Sequence, residues 1–169
     1  MTPTYLAKFL TLPQAIRKRT QLAENNQKLV FTNGCFDLLH PGHLRYLYEA
    51  RALGDFLLVG LNSDASVKRL KGSSRPIRSQ DERAEMLTAL CMIDGVTIFD
   101  EDTPLELILA LKPDLLVKGG DWAPQDIVGG PQVLSWGGQV RSLTLAKGFS
   151  TTNIIEAIAK SCSTLGGQP

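Results

Sequence analysis

Five apolar runs, separated by stretches of helical spacing, constrain the fold of this chain more than any other feature. DFLLVGL (55–61) is the clearest, nearly all apolar as expected of a parallel strand covered on both faces. KLVFT (28–32), bounded by Asn33-Gly34, is the first strand; GVTIF (95–99), DLLVK (114–118) and QVRSLTL (139–145) are the third, fourth and fifth. Ahead of them, residues 5–27 are polar and helical, ending at the Asn25-Asn26 break.

The helices between the strands carry their own start signals. Pro41 suits a first helical position, where a missing N–H costs nothing. Leu44, Leu47 and Tyr48 give that helix an apolar stripe, and Gly54 stands where a C-cap is expected. Ser79-Gln80-Asp81-Glu82 is a capping box followed by Ala84, Leu87, Leu90 and Cys91 on one face, and Thr103-Pro104-Leu105-Glu106 repeats the pattern. A last helix runs from about Thr152 to Lys160, opened by hydroxyl and amide caps. Strand–helix alternation without repeat or linker predicts a single α/β domain at 28–165, with 1–27 as a helical extension. The fold class is a Rossmann-like doubly wound parallel five-stranded sheet.

Such a sheet binds its ligand beyond the carboxyl ends of the strands. The loops after strands one, two, four and five, NGCFDLLHPGH, NSDASVKRLKGSSRP, KGGDW and AKGFSTTN, are therefore the ones that matter. They are also among the richest in glycine, charge or hydroxyls. Neither a GxGxxG fingerprint nor a P-loop follows the first strand. Instead the chain's 2 histidines, His40 and His43, bracket Pro41 and Gly42. With a helix starting at Pro41, both imidazoles flank its N-terminus, where free N–H groups attract phosphate. Gly42 removes a side chain where a ligand meets the backbone. A metal would need further ligands, and there is neither a third histidine nor a cysteine pair nearby. An incidental surface pair is the remaining alternative to a clamp for phosphate oxygens.

The net charge of +1 gives no reason to expect nucleic acid or an anionic membrane as partner. Cys35, Cys91 and Cys162 form no CxxC pair and fit a reducing compartment. The first twenty residues hold no stretch long enough for a signal peptide or membrane span, so a cytoplasmic location is expected.

GCFDLLHPGH resembles the G-x-F-D-x-x-H-x-G-H signature of the cytidylyltransferase-like nucleotidyltransferases, which share the HIGH-superfamily fold. "GLNSDASVKRLKGSSRPI", "ERAEMLTAL", "PDLLVKGGDW" and "GFSTTNIIEAI" extend the resemblance to the heptose 1-phosphate adenylyltransferases over roughly residues 28 to 160. The resemblance implies adenylyl transfer from ATP to heptose 1-phosphate, with Mg²⁺ carried mainly on the ATP phosphates and no metal held by the protein. It implies His40, His43 and Lys71 as catalytic, with Lys68, Arg69 and Arg75 competing for the role of Lys71. Thr32, Asn33, Gly34, Cys35, Phe36, Asp37, Gly42, Gly119, Asp121, Ser150, Thr151 and Thr152 would bind ATP. Asn62, Asp64, Arg75, Arg83 and Trp122 would bind the acceptor. Asp37 would order the loop or help hold the metal, and could equally serve as a turn cap; Ser150 to Thr152 could be ordinary N-caps, and Gly119 to Trp122 a plugged turn.

Related glycerol-phosphate cytidylyltransferases carry R-T-E-G-I-S-T-[ST] near the end, where this chain reads LAKGFSTT (145–152) without the arginine. That leans toward ATP. The rivals are a cytidylyltransferase for another polyol or amino-alcohol phosphate, a nucleotide-binding regulator without turnover, and an RNA-binding fragment, which near-neutral charge disfavours. Bifunctional heptose enzymes also carry a sugar kinase domain that 169 residues leave no room for, so a separate heptose kinase is the expected pathway partner. Analogy with related enzymes allows a homodimer.

Overall fold

The computed structural model describes residues 3–120, 122–144 and 150–165. Five parallel strands form one sheet in the order β3-β2-β1-β4-β5: β1 (Leu29–Gly34), β2 (Phe56–Asn62), β3 (Gly95–Phe99), β4 (Leu115–Gly119) and β5 (Gln139–Leu143). The chain winds outward from β1 through β2 and β3, then returns to the other side of β1 for β4 and β5. The crevice between β1 and β4 is thus the switch point where such sheets bind ligands. The ladder there contains the pairs Val30–Leu115 and Phe31–Leu116 and stops, while β1 and β2 stay paired through Gly34–Leu61.

The strands are apolar throughout because both faces are covered. Val30, Leu57, Val59 and Leu61 point into a core closed by α2 (Pro41–Arg51) and α4 (Gln80–Thr88). Phe31, Leu58 and Leu116 point into a second, packed by Ala15 and Leu22 of α1 (Leu12–Glu24), by Leu107, Ile108 and Leu111 of α5 (Leu105–Leu111), and by Val133 of α6 (Gly130–Ser135). No helix among the described residues is long and apolar enough to cross a membrane.

Several local expectations are corrected. The leading segment is not one helix. A 3-10 turn (Thr4–Lys8) precedes an extended crossing in which the Leu10 amide donates to the Val96 carbonyl at 2.8 Å, and α1 begins only at Leu12. Pro13 explains the break, since proline is tolerated in a first turn but not in a helix interior. Strand one runs through Asn33 to Gly34. Residues 64–71, expected as loop, form α3 (Asp64–Lys71), capped by the Ser63 hydroxyl at 3.0 Å from the Ser66 amide. Val67 and Leu70 are its large apolar residues, and the rest is polar enough to resemble a loop. The Ser79 capping box forms, but the Thr103 box does not, and α5 starts after Pro104 without a side-chain cap.

In α2 the buried residues are Tyr46, Leu47 and Ala50, while Leu44 and Tyr48 are exposed. Beyond α4, Cys91 is exposed. Ala52, not Gly54, is the C-cap of α2; Gly54 is needed because a Cβ there would lie 2.6 Å from Val30 Cγ2. The short helix α6, opened by Gly129-Gly130-Pro131, supplies the crossover to β5. The last helix, α7, spans Thr151–Leu165.

Candidate active site

The turn after β1 is shaped by its own residues. Phe36 adopts a positive φ of 44° and folds its ring back over Gly34, where a Cβ would meet Phe36 Cε2 at 3.0 Å. His40 is the N-cap of α2 in extended conformation, and its Nδ1 accepts from the His43 amide at 3.3 Å. One turn on, the His43 ring stacks on His40 with centroids 3.8 Å apart and 13° between planes, and its other side meets Phe36 at 5.2 Å. Burial, then the nearby His40 and Lys71 charges, push the His43 imidazole down to about 4. Burial also lowers the pKa of His40. His43 is therefore a neutral ring at pH 7, able to donate from one nitrogen and accept at the other.

Asp37 fixes this turn from below. Its carboxylate is 3 % exposed, meets Arg75 Nε at 2.5 Å, and accepts from the Ile77 and Arg78 amides at 2.7 and 3.1 Å. Burial alone would raise its pKa, but the Arg78 amide, the Arg75 guanidinium and the Ile77 amide together hold it below the ordinary carboxylate range. The segment after α3 is thereby tied to the histidine turn.

Two adjoining cavities open at the switch point. A cleft of about 410 Å³ is lined by Asn33, Gly34, Cys35, Asn62, Lys71, Lys118 and Trp122, with Thr103, Ile127 and Val128 on its far wall. A smaller one of about 120 Å³ is lined by Asn33, Gly34, Cys35, Phe36, His43, Lys118 and Gly119. The Lys118 ammonium, where they meet, donates to Asn33 Oδ1 at 3.2 Å. At the mouth, Thr151 of α7 donates to the Leu38 carbonyl at 3.4 Å, bringing the N-terminus of α7 to the same turn.

Of the residues singled out in the sequence, Asn33, Gly34, Cys35, Phe36, His43, Asn62, Lys71, Gly119 and Trp122 line these cavities. Lys71 sits at the end of α3, not on a loop. Two of its rivals are otherwise engaged, Arg69 with Asp102 at 2.6 Å and Arg75 with Asp37, while Lys68 is exposed and lines neither cavity.

Four residues expected to contact ligands are engaged within the protein. Arg83, 1 % exposed, donates to the Cys35, Asn62 and Arg78 carbonyls and pairs with Asp64 at 2.7 Å. It therefore props the cleft floor, and Asp64 is its partner. Arg75 acts through Asp37. Thr32 is fully buried, its hydroxyl bonded to Tyr46, which donates on to the Val117 carbonyl at 3.1 Å. Asp121 lies outside the described residues, as does 145–149 of the block compared with the cytidylyltransferases.

Lys118 carries no site signal of its own in the sequence, because a lysine ending an apolar run looks like the last residue of a strand. The loop after β3, outside the four expected loops, contributes Asp102, Thr103 and Pro104.

A parallel sheet ordered 3-2-1-4-5, with a histidine pair at the helix N-terminus beyond β1 and lysines facing it, defines an α/β nucleotidyltransferase fold. The sequence matches the cytidylyltransferase-like family over residues 31–157, more than half of its length, and the chain belongs to that family. It is 57% identical over 150 residues to the bifunctional protein HldE of Syntrophotalea carbinolica, covering 88% of this chain and 31% of that protein. To the bifunctional protein HldE of Helicobacter pylori it is 54% identical over 142 residues, covering 84% and 30%. The chain thus spans about a third of the length of these curated relatives. Among solved structures, a lipopolysaccharide core biosynthesis protein from Thermoplasma volcanium superposes with a TM-score of 0.59 at 27% identity, covering 72% of this chain and 98% of that one. Pantothenate synthetase from Thermus thermophilus, at 14% identity and a TM-score of 0.61, covers 87% and 67% and shares the fold.

Proposed function

We propose that this chain transfers the adenylyl group of ATP to D-glycero-D-manno-heptose 1-phosphate, giving ADP-heptose and pyrophosphate for lipopolysaccharide core or related heptose glycans. The observation that carries the chemistry is the stacked, neutral His40–His43 pair at the N-terminus of α2, with Lys71 across the cleft. The similarity to HldE proteins and the sequence blocks shared with heptose 1-phosphate adenylyltransferases support the choice of sugar.

The acceptor phosphate is ionised at pH 7, so no strong general base and no covalent intermediate are needed. An acceptor oxygen attacks the α-phosphorus, and the bond to pyrophosphate breaks on the opposite side. Positioning two anions in line and offsetting their charge is most of the catalytic task. His40, His43 and the α2 amides face the phosphates of ATP; a phosphate oxygen would supply the partner that buried His43 Nδ1 lacks. Lys71 closes on the triphosphate, and the α7 N-terminus with Ser150, Thr151 and Thr152 offers it further donors.

Magnesium enters as the metal salt of ATP. A resident metal does not fit the donor set: among the described residues no three His, Cys, Asp or Glu side chains gather, and Asp37 is already bound to Arg75. A cytoplasmic location and heptose phosphate supplied by a kinase step belong to the same proposal.

The test is pyrophosphate release from ATP and from CTP across a panel of sugar and polyol phosphates. The expected result is release with ATP and heptose 1-phosphate. Turnover with CTP and a polyol or amino-alcohol phosphate alone would replace the proposal with a cytidylyltransferase. Nucleotide binding with no turnover would leave a regulator.

A further inference from the structure

Lys118 is difficult to explain as a structural residue. It follows Leu115, Leu116 and Val117 at the carboxyl end of β4, beside β1, where the ladder between the two strands has already stopped. Among the described residues no carboxylate pairs with it; its hydrogen bond is to the neutral Asn33 Oδ1 at 3.2 Å. Burial, and the like charge of Lys71, lower its pKa. An ammonium partly withdrawn from water without a counter-ion costs free energy that a leucine or methionine would not. Such a cost is retained where an anion is to be received.

The position says which anion. Lys118 lines both cavities: the small one holding His43 and the large one reaching Trp122. The small cavity is the side of the α2 N-terminus, where the ATP phosphates lie in the proposed reaction. The large cleft is the space left for the acceptor. We propose that Lys118 is a catalytic residue that seats the phosphate of the sugar phosphate against the α-phosphorus of the nucleotide, with Asn33 aiming its ammonium. This rests on the adenylyltransferase reading above. One bond forms, from an acceptor phosphate oxygen to the α-phosphorus. One breaks, and the pyrophosphate oxygen leaves with its electron pair. Lys118 keeps its proton throughout and offsets charge as the two anions approach.

Lys118→Met and, as a second neutral variant, Lys118→Gln test it. Both should keep the wild-type melting temperature and bind ATP within about threefold by calorimetry, since the histidine side is intact. Turnover should fall by about 10²-fold, the scale of one charged donor at the reacting centre. KM for heptose 1-phosphate should rise at least about tenfold, with KM for ATP little changed. Lys118→Arg, which keeps a cation, should recover part of the loss. A kcat/KM for the sugar phosphate within about threefold of wild type in either folded neutral variant would overturn the inference. So would equal losses for ATP and acceptor, which mark a structural role.

If the wild type turns over nothing in the panel, the adenylyltransferase reading fails by itself. Lys118 is then judged by inorganic phosphate binding to the ATP-saturated protein. An approximately tenfold weakening in Lys118→Met supports the anion seat, and unchanged binding overturns it.

Discussion

His43 stacks on His40 with 3.8 Å between ring centroids, and the His43 amide donates to the His40 ring at 3.3 Å, so each imidazole fixes the orientation of the other. Pro41 and Gly42 make this possible: the proline starts the helix at once, and the three-residue spacing returns the second ring above the first. The pair therefore acts as a unit. His43→Ala or His40→Ala is expected to lower turnover by at least about 10²–10³. The double variant should lose little more than the worse single one. Circular dichroism should report an intact fold. Near-wild-type pyrophosphate release from both single variants would remove the histidines from the mechanism.

The buried imidazole of His43 makes stability depend on pH in one direction. Its pKa is about 4 in the folded chain against 6.5 in the unfolded one, so between these values the unfolded state binds more protons. Stability gained by keeping the ring neutral is full above pH 6.5 and is lost as pH falls toward 4. Since part of the ring meets solvent, the loss is on the order of 2 kcal/mol. Urea unfolding at pH 7 and pH 4.5 should show wild type losing more than His43→Gln by about that amount. Parallel losses would place the ring in solvent.

Asp37 and Arg75 join two segments 38 residues apart in sequence. Removing one partner strands the other: Asp37→Ala should cost roughly 3 kcal/mol, and the Asp37→Ala/Arg75→Ala double variant less than the sum of the singles. The folded pKa of Asp37 lies below the ordinary 3.8, so its contribution is present at neutral pH and is lost only as pH falls through the folded value. Denaturation of all three variants measures the coupling. Additive losses would mean that the pair is not energetically linked.

What the sequence reveals follows the range of each interaction. GVTIF coincides with β3 because a strand buried on both faces carries its signal in consecutive residues. The start of α2 is equally readable, since a proline and its neighbouring N-cap act within one turn. Helix α3 is hidden because most of its residues are polar and just two, Ser66 and Val67, are buried, so the segment resembles a polar loop. Thr32 looked like a ligand contact, but its partner Tyr46 lies on another element. Lys118 and Asn33 form a site residue and its support across 85 positions, which no local pattern encodes.

Arg83 is the sharpest case, because the family resemblance implies a contact with the acceptor while packing places it in the cleft floor. Its guanidinium is enclosed by three carbonyls and Asp64, satisfying a buried cation through charge-assisted hydrogen bonds. Two of those carbonyls, of Cys35 and Asn62, belong to residues lining the large cleft, so Arg83 sets the spacing between the ends of β1 and β2. Arg83→Ala is expected to cost roughly 3–5 kcal/mol, lowering the melting temperature by several degrees or more. Arg83→Lys should recover little, since one ammonium cannot reproduce the planar fork. Residual folded Arg83→Lys enzyme at low temperature should bind ATP within a few fold of wild type. A large rise in KM for the sugar phosphate with unchanged stability would instead return Arg83 to the substrate.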